Sequence, residues 1–136
     1  MGFSSSSGNT SITGNVTAVS GRTGTLTFAS NATGAANNTQ TVLTVAAGRK
    51  YTILSISLNG EISGAFGATE IVKVNAEIAL KGYIAGLAGQ YMKSYQAHTF
   101  SLNCAPILAA GQTVTVETNN ANTLTFCSVA FLDEAA

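Results

Sequence analysis

Residues 71–81 read Ile71-Val72-Lys73-Val74-Asn75-Ala76-Glu77-Ile78-Ala79-Leu80-Lys81. Val72, Val74, Ala76, Ile78 and Leu80 fall on one side, and Lys73, Asn75, Glu77 and Lys81 on the other. A period of two over that length predicts a half-buried β-strand, with its apolar face on a core and its polar face in water. Similar runs lie on both sides of it. Upstream, Thr41–Val45 leads through an Ala46-Ala47-Gly48 turn into Tyr51–Leu58, which places Leu54, Ile56 and Leu58 together and ends at Asn59-Gly60. Downstream, residues 82–92 (GYIAGLAGQYM) read as a glycine-broken loop, because each interior Gly costs a helix about 1 kcal/mol. Tyr95–Asn103 alternates again with His98, Phe100 and Leu102 together, and Gln112–Thr118 and Thr123–Asp133 follow Pro106. Many short strands, frequent turn signals and no helical pattern predict an all-β antiparallel sandwich or barrel.

Two segments echo each other. Ala46–Ile53 (AAGRKYTI) and Ala109–Val116 (AAGQTVTV) share an Ala-Ala-Gly turn followed by a β-branched strand, which suggests two equivalent edges of one sandwich. The last strand differs from the rest. Leu124, Phe126, Ala130 and Leu132 lie on one face while Cys127, Val129 and Phe131 lie on the other. A strand apolar on both faces is covered on both, by the chain itself or by a second copy of it.

The first forty residues read as a polar arm. Residues 1–9 are rich in Ser, Gly and Asn and have no hydrophobic period. Ile12–Ser20 and Thr23–Ala29 form a possible hairpin (12–29) around Gly21-Arg22, and residues 30–40 (SNATGAANNTQ) have the composition of a linker. The compact domain is expected over 41–136.

The chain has 136 residues, enough for one domain, with six basic and six acidic residues and no net charge. Charged residues make up 9% of it, against about 25% in ordinary soluble domains. Nucleic acid is captured by clustered Lys and Arg, and so is an anionic membrane surface, so neither is an expected partner. No apolar run approaches the ~20 residues of a membrane-spanning helix. The N-terminus lacks the basic and apolar regions of a secretory signal. Gly2 followed by Ser6 fits a myristoylation pattern, and Asn9, Asn15, Asn31 and Asn37 fit glycosylation sequons, as a Ser/Thr/Asn-rich segment does by composition alone. A neutral, weakly charged surface favours self-association.

Residues able to do chemistry are few. His98 is the only histidine and lies mid-strand beside Phe100 and Leu102, with no patterned nucleophile or carboxylate. One His, one Asp (Asp133) and two distant cysteines give no metal-ligand spacing. Glu61, Glu70, Glu77 and Glu117 read as turn or solvent-face residues without a paired acid and base. No phosphate-binding loop precedes a helix. Cys104 and Cys127 could pair across neighbouring strands, but on compartment grounds they read rather as two reduced, buried thiols. No enzyme activity and no cofactor are expected. Tyr83, Tyr91 and Tyr95 cluster in one region and suit either a protein interface or a sugar-stacking surface. With Phe126, Val129 and Phe131 of the last strand they make up the expected oligomer interface.

The stretch TVLTVAAGRKYTILSISLNG (41–60), then IVKVN (71–75), then APILAAGQTVTVETNNANTLTFCSVAFLDE (105–134) resembles the small jelly-roll virion proteins of tailed bacteriophages, the capsid decoration or cement proteins and fibre-associated proteins. The resemblance implies a jelly-roll β-sandwich with an extended N-terminal arm. It also implies a structural role in the virion, assembly with itself as a homotrimer and with the major capsid protein, and assembly in the host cytoplasm. The alternative within the same resemblance is a fibre or host-recognition module that binds surface glycan through its tyrosines.

Overall fold

The structure is a computed structural model, and it describes residues 16–19, 22–34, 38–64, 66–120 and 123–136. Among these residues lie ten strands and no helix. In chain order they are β1 (Val16–Val19), β2 (Arg22–Ala32), β3 (Thr39–Thr44), β4 (Arg49–Gly64) and β5 (Ala68–Val74). They continue with β6 (Glu77–Ile84), β7 (Leu87–Thr99), β8 (Ile107–Ala109), β9 (Thr113–Thr118) and β10 (Thr123–Ala135). The larger sheet runs β1-β2-β10-β4-β7, with β8 also on β4, and the smaller runs β3-β9-β5-β6. Every pairing is antiparallel.

The pairings are nested. β5 pairs with β6, β4 with β7, β3 with β9 and β2 with β10. A four-deep hairpin of this kind, wound so that alternate pairs fall in opposite sheets, is the eight-strand jelly roll with two Greek keys. The sandwich class read from the sequence is what the chain forms, and the strand order makes it a jelly roll. The core between the sheets is built from Val42, Leu43, Ile53, Ile56, Leu58, Val72, Val114, Val116, Cys127 and Val129, among others. Tyr51 packs its ring on Phe131 at 4.5 Å between centroids.

Several expectations change. The alternating stretch 71–81 is a hairpin rather than one strand. Asn75 and Ala76 have φ of 48° and 70°, the left-handed pair that a two-residue turn between twisted strands requires. Val74 lies opposite Glu77 and Lys73 opposite Ile78, so Ile78 faces water and not the core. A register shift between Val72 and Lys73 then restores Leu80 to the core side. An alternating pattern survives a two-residue turn and a bulge, which is why the sequence conceals both. In β4 the same device acts at Leu54. The register against β10 steps from Ser55 to Ile53, so Tyr51 and Ile53 point inward on one side of the bulge and Ile56 and Leu58 on the other. Residues 82–92 read as loop but belong mostly to β6 and β7, and β7 ends at Thr99 rather than Asn103.

The boundary expected at Thr41 also moves. β2 pairs with β10 from Thr25↔Asp133 to Ala32↔Phe126, so residues 25–32 are part of the larger sheet and not of an arm. Within the segment expected as a hairpin (12–29), β1 pairs antiparallel with β2, Val19 lying opposite Arg22. Residues 1–15, 20–21 and 35–37 lie outside the described residues. The two Ala-Ala-Gly echoes are equivalent turns. Arg49 N donates to Ala46 O and Gln112 N to Ala109 O, with Gly48 and Gly111 at φ of 75° and 85°. They sit side by side, because Gly111 N donates to Val45 O and Val45 N to Gln112 O.

A chain beginning at residue 41 would leave one side of β10 unpaired through residues 126–133. It is expected to lose the cooperative thermal transition of the full chain by circular dichroism. An unchanged transition in that truncation would place β2 outside the folding unit.

Candidate assembly surface

The outer face of the larger sheet is an ordered grid. Across β2, β10, β4 and β7 one row reads Ala32, Phe126, Asn59, Tyr95, the next Ser30, Ser128, Ser57, Ala97, and the next Phe28, Ala130, Ser55, Thr99. Leu124 extends it beside Glu61 and Lys93. These last two are the only charges of the rows, and they lie 4.0 Å apart as an ion pair. Phe28 is 71% exposed, Tyr95 65% and Phe126 45%. Exposed aromatics thus stand on a face of otherwise small and uncharged side chains, apart from the Glu61–Lys93 pair.

Its apolar residues are on the unexpected side of their strands. In β2, Leu26 and Phe28 face out while Thr27 and Ala29 face in, opposite Phe131 and Val129. At the start of β10, Leu124 and Phe126 face out while Thr123 and Thr125 are buried. A sheet with one wet face normally turns its apolar set inward, and a slip of one residue exchanges the faces. Here the register is fixed by long ladders, so the inversion is built in.

The reason lies beneath it. Glu70 of β5 is fully buried, contrary to its reading as a solvent-face residue. Ser94 Oγ of β7 donates to its Oε1 at 2.8 Å, and Thr125 Oγ1 of β10 donates to its Oε2 at 2.8 Å. One carboxyl group therefore ties the smaller sheet to two strands of the larger. Thr125 is the polar lining such a group needs, whereas the buried Thr123 Oγ1 has no hydrogen-bond partner among the described residues. Gly60 of β4 makes room, since a Cβ there would fall on the Glu70 carboxyl and on Ile84. Thr33 joins the cluster by accepting from Thr125 N at 3.1 Å and donating its own N–H to Thr125 O at 2.9 Å.

The expected interface residues divide. Phe126, Tyr91 and Tyr95 lie on the outer face of the larger sheet, whereas Val129 and Phe131 are 1% and 4% exposed and belong to the core. The tyrosines do not form one cluster. Tyr91 and Tyr95 are on β7 and Tyr83 is on β6, on the outside of the other sheet. Phe28 was missed because it falls within the polar arm, although the alternation Thr25-Leu26-Thr27-Phe28 carries the signal.

Of the remaining reactive groups, His98 is exposed and stands edge-on to Phe100 at 4.6 Å between centroids. Glu117 pairs with Lys73 at 3.3 Å and Asp133 with Arg49 at 2.8 Å. Glu77 is exposed beside the 75–76 turn. Among the described residues no three His, Cys, Asp or Glu side chains come together as a metal site. Cys104 is exposed and Cys127 buried, and neither is in a disulfide. Burial pushes the Cys127 thiol up to about 12.

No protein-family model and no curated protein matches the chain. Among solved structures it is similar to the cryo-EM structure of the virus-like particle of the giant freshwater prawn Macrobrachium rosenbergii extra small virus. That match has 9% identity and a TM-score of 0.42, over 96% of this chain and 87% of that one. The jelly-roll assignment stands on the strand order and not on this likeness.

Two outcomes are expected. A thiol reagent near pH 8 should titrate Cys104 alone in the native protein and both cysteines in denaturant, because the Cys127 thiol stays protonated until the sandwich opens. Glu70→Ala should lower stability by about 1–3 kcal/mol in urea, because it strands the buried Thr125 hydroxyl and the half-buried Ser94 hydroxyl. Glu70→Gln, which keeps an acceptor oxygen, should cost less.

Proposed function

We propose that the chain is a non-enzymatic structural protein of a virus particle: a capsid decoration, or cement, protein of a tailed bacteriophage. In this reading it forms a homotrimer, assembles in the host cytoplasm and binds the finished head lattice. The observation that carries the reading is the inverted outer face of the larger sheet, where Phe28, Leu124, Phe126, Tyr91 and Tyr95 are turned to water while threonines are buried beneath them. Exposed aromatic side chains set on a neutral sheet face favour a protein contact. Jelly rolls serve both viral shells and lectins, so the fold by itself does not choose. The resemblance of residues 41–60, 71–75 and 105–134 to phage virion proteins favours the shell.

The mechanism is mass action. A protein that binds the assembled lattice and not its free subunits stabilises the lattice in proportion to its concentration over its dissociation constant. A surface with no net charge does this by burying aromatic area rather than by ion pairing, so binding should change little with salt.

One observation favours a second reading, a fibre or host-recognition module. A cleft of about 350 Å3 beside Tyr91 is lined by Ser63, Gly64, Gly89 and Gln90. Neutral hydrogen-bonding groups next to an aromatic face suit an uncharged sugar.

Quantitative mass spectrometry of purified particles separates the two. Hundreds of copies per particle are expected for decoration, and a handful for a fibre. Phe126→Asp should weaken particle binding at least ~30-fold, the loss of one interface hot spot, with the melting temperature unchanged. Saturable glycan binding abolished by Tyr91→Ala would turn the choice to the second reading.

A further inference from the structure

The edges of the two sheets are not alike. In the smaller sheet β3 is six residues long, and Asn31 Nδ2 already donates to its Thr41 carbonyl at 2.9 Å. The other edge of that sheet, β6, carries Glu77 and Lys81, and its ladder with β5 shifts register between Val72 and Lys73. At one end of the larger sheet, β1 is four residues long. Short length, charge and irregular register are what keep an edge from pairing with another chain. At the other end, β7 has none of these. It runs from Leu87 to Thr99, and among the described residues it pairs with β4 alone. From Ser63↔Tyr91 to Ser55↔Thr99 its register is unbroken, without proline, and its one charge, Lys93, is paired with Glu61 at 4.0 Å.

The backbone groups of β7 can be assigned to sides. Phe100 N donates to Leu54 O at 3.0 Å, in line with that register. In an antiparallel ladder the N–H and C=O of one residue point to the same side, and successive residues alternate. Residues 92, 94, 96 and 98 therefore bond β4. Tyr91, Lys93, Tyr95, Ala97 and Thr99 turn their N–H and C=O groups the other way, to the open edge. The smaller sheet meets β7 from its inner face, where a Cβ on Gly82 would collide with the Gln96 amide, so the in-plane side stays clear. A row of unpaired backbone groups takes one kind of ligand, an extended strand.

We infer that this strand is β7 of a second copy, laid antiparallel about a two-fold axis through Tyr95. The segment is self-complementary in that register. Tyr95 faces its own mate, Lys93 faces Ala97 and Tyr91 faces Thr99, so aromatic rings meet and like charges do not. Centring on Lys93 would set two ammonium groups directly opposite each other. The facing pairs over 91–99 exchange about ten backbone hydrogen bonds, as many as a whole protein interface commonly carries. The joint also prolongs the face already assigned to assembly. The row Ala32, Phe126, Asn59, Tyr95 runs straight on through the same four residues in reverse, which only the Tyr95 register allows. A two-fold contact closes at two copies. It therefore does not build the homotrimer of the proposed function but links a chain of one trimer to a chain of the next, and it depends on neither trimer nor particle to form.

The test is cross-linking by register in the full chain carrying Cys104→Ser, which leaves only the buried Cys127 thiol. Tyr95→Cys should be joined into covalent dimers by a short bis-thiol reagent, since the mates lie about 5.5 Å apart between Cα atoms. Lys93→Cys by itself should react at least ~10-fold more slowly, because its mate is four residues along, about 13 Å away. Lys93→Cys mixed with Ala97→Cys should recover the dimer. Ala97→Pro removes an N–H that points to the edge and none from the β4 ladder. Added to Tyr95→Cys, it should cut cross-linking at least ~30-fold and leave the circular dichroism spectrum as it was. The inference is overturned if Tyr95→Cys stays monomeric, if the Lys93→Cys and Ala97→Cys mixture does, or if Ala97→Pro in its native fold cross-links undiminished. Equal reaction at 93 and 95 overturns it too, since that marks copies gathered about a three-fold axis. None of these outcomes alters particle copy number or the effect of Phe126→Asp, so the virion reading stands or falls separately.

Discussion

The ladder between β4 and β10, from Arg49↔Ala135 to Ile62↔Thr123, holds the larger sheet together. β10 offers its other side to β2, and β4 offers its other side to β7 and β8. Both strands are therefore saturated along most of their length, which puts their inward residues at the centre of the core. The bulge at Leu54 lets β4 stay in register with β10 while it keeps Ile53 and Ile56 both buried. Were Leu54 taken into the regular ladder instead of bulging out, one half of β4 would turn its apolar set to water.

On this frame the core is split by chemistry. One part is an ordinary aliphatic cluster around Ile53, Leu58, Val72 and Val129. The other surrounds Glu70, with Ile62, Ala68 and Ile84 as a small satellite cluster. A buried carboxyl is costly unless its oxygens are hydrogen-bonded, and it has partners at one geometry only. Glu70 thus fixes how the two sheets sit on each other, a service that interchangeable methyl groups do poorly. The same requirement turns Leu124 and Phe126 outward, because Thr125 between them takes the inward position that reaches Glu70. The polar clamp inside and the aromatic surface outside are two consequences of one strand's register.

The sequence showed the fold class well and the site only in part. Strand-forming runs, turn residues and the two Ala-Ala-Gly echoes were plain, because period and turn chemistry are local. The hairpin within 71–81 was hidden because its two-residue turn at Asn75-Ala76 and its bulge leave the alternation unbroken. β2 was assigned to an arm because its composition is polar, and only its pairing with β10 shows that it belongs to the sheet. Phe126, Tyr91 and Tyr95, expected in an oligomer interface, are exposed, whereas Val129 and Phe131, expected there with them, are core, because a two-faced strand does not say which face the chain itself covers. Glu70 looked like every other acidic residue. Burial is a property of what packs against a side chain, and no spacing in the sequence encodes it.

The nested pairing also governs how quickly this chain can reach its native state. The tight 75–76 hairpin joins neighbours, but the pairing of Thr25 with Asp133 joins residues from opposite ends of the described chain. Each deeper pair closes a larger loop before its contacts repay the lost entropy. Such high contact order places folding in the slow range of milliseconds to seconds. Because β10 is the last of the ten described strands in chain order and the middle of its sheet, the larger sheet cannot close until β10 is present. Its outer face, with Phe28, Phe126 and Tyr95 on three different strands, is therefore complete only when the whole domain has been made.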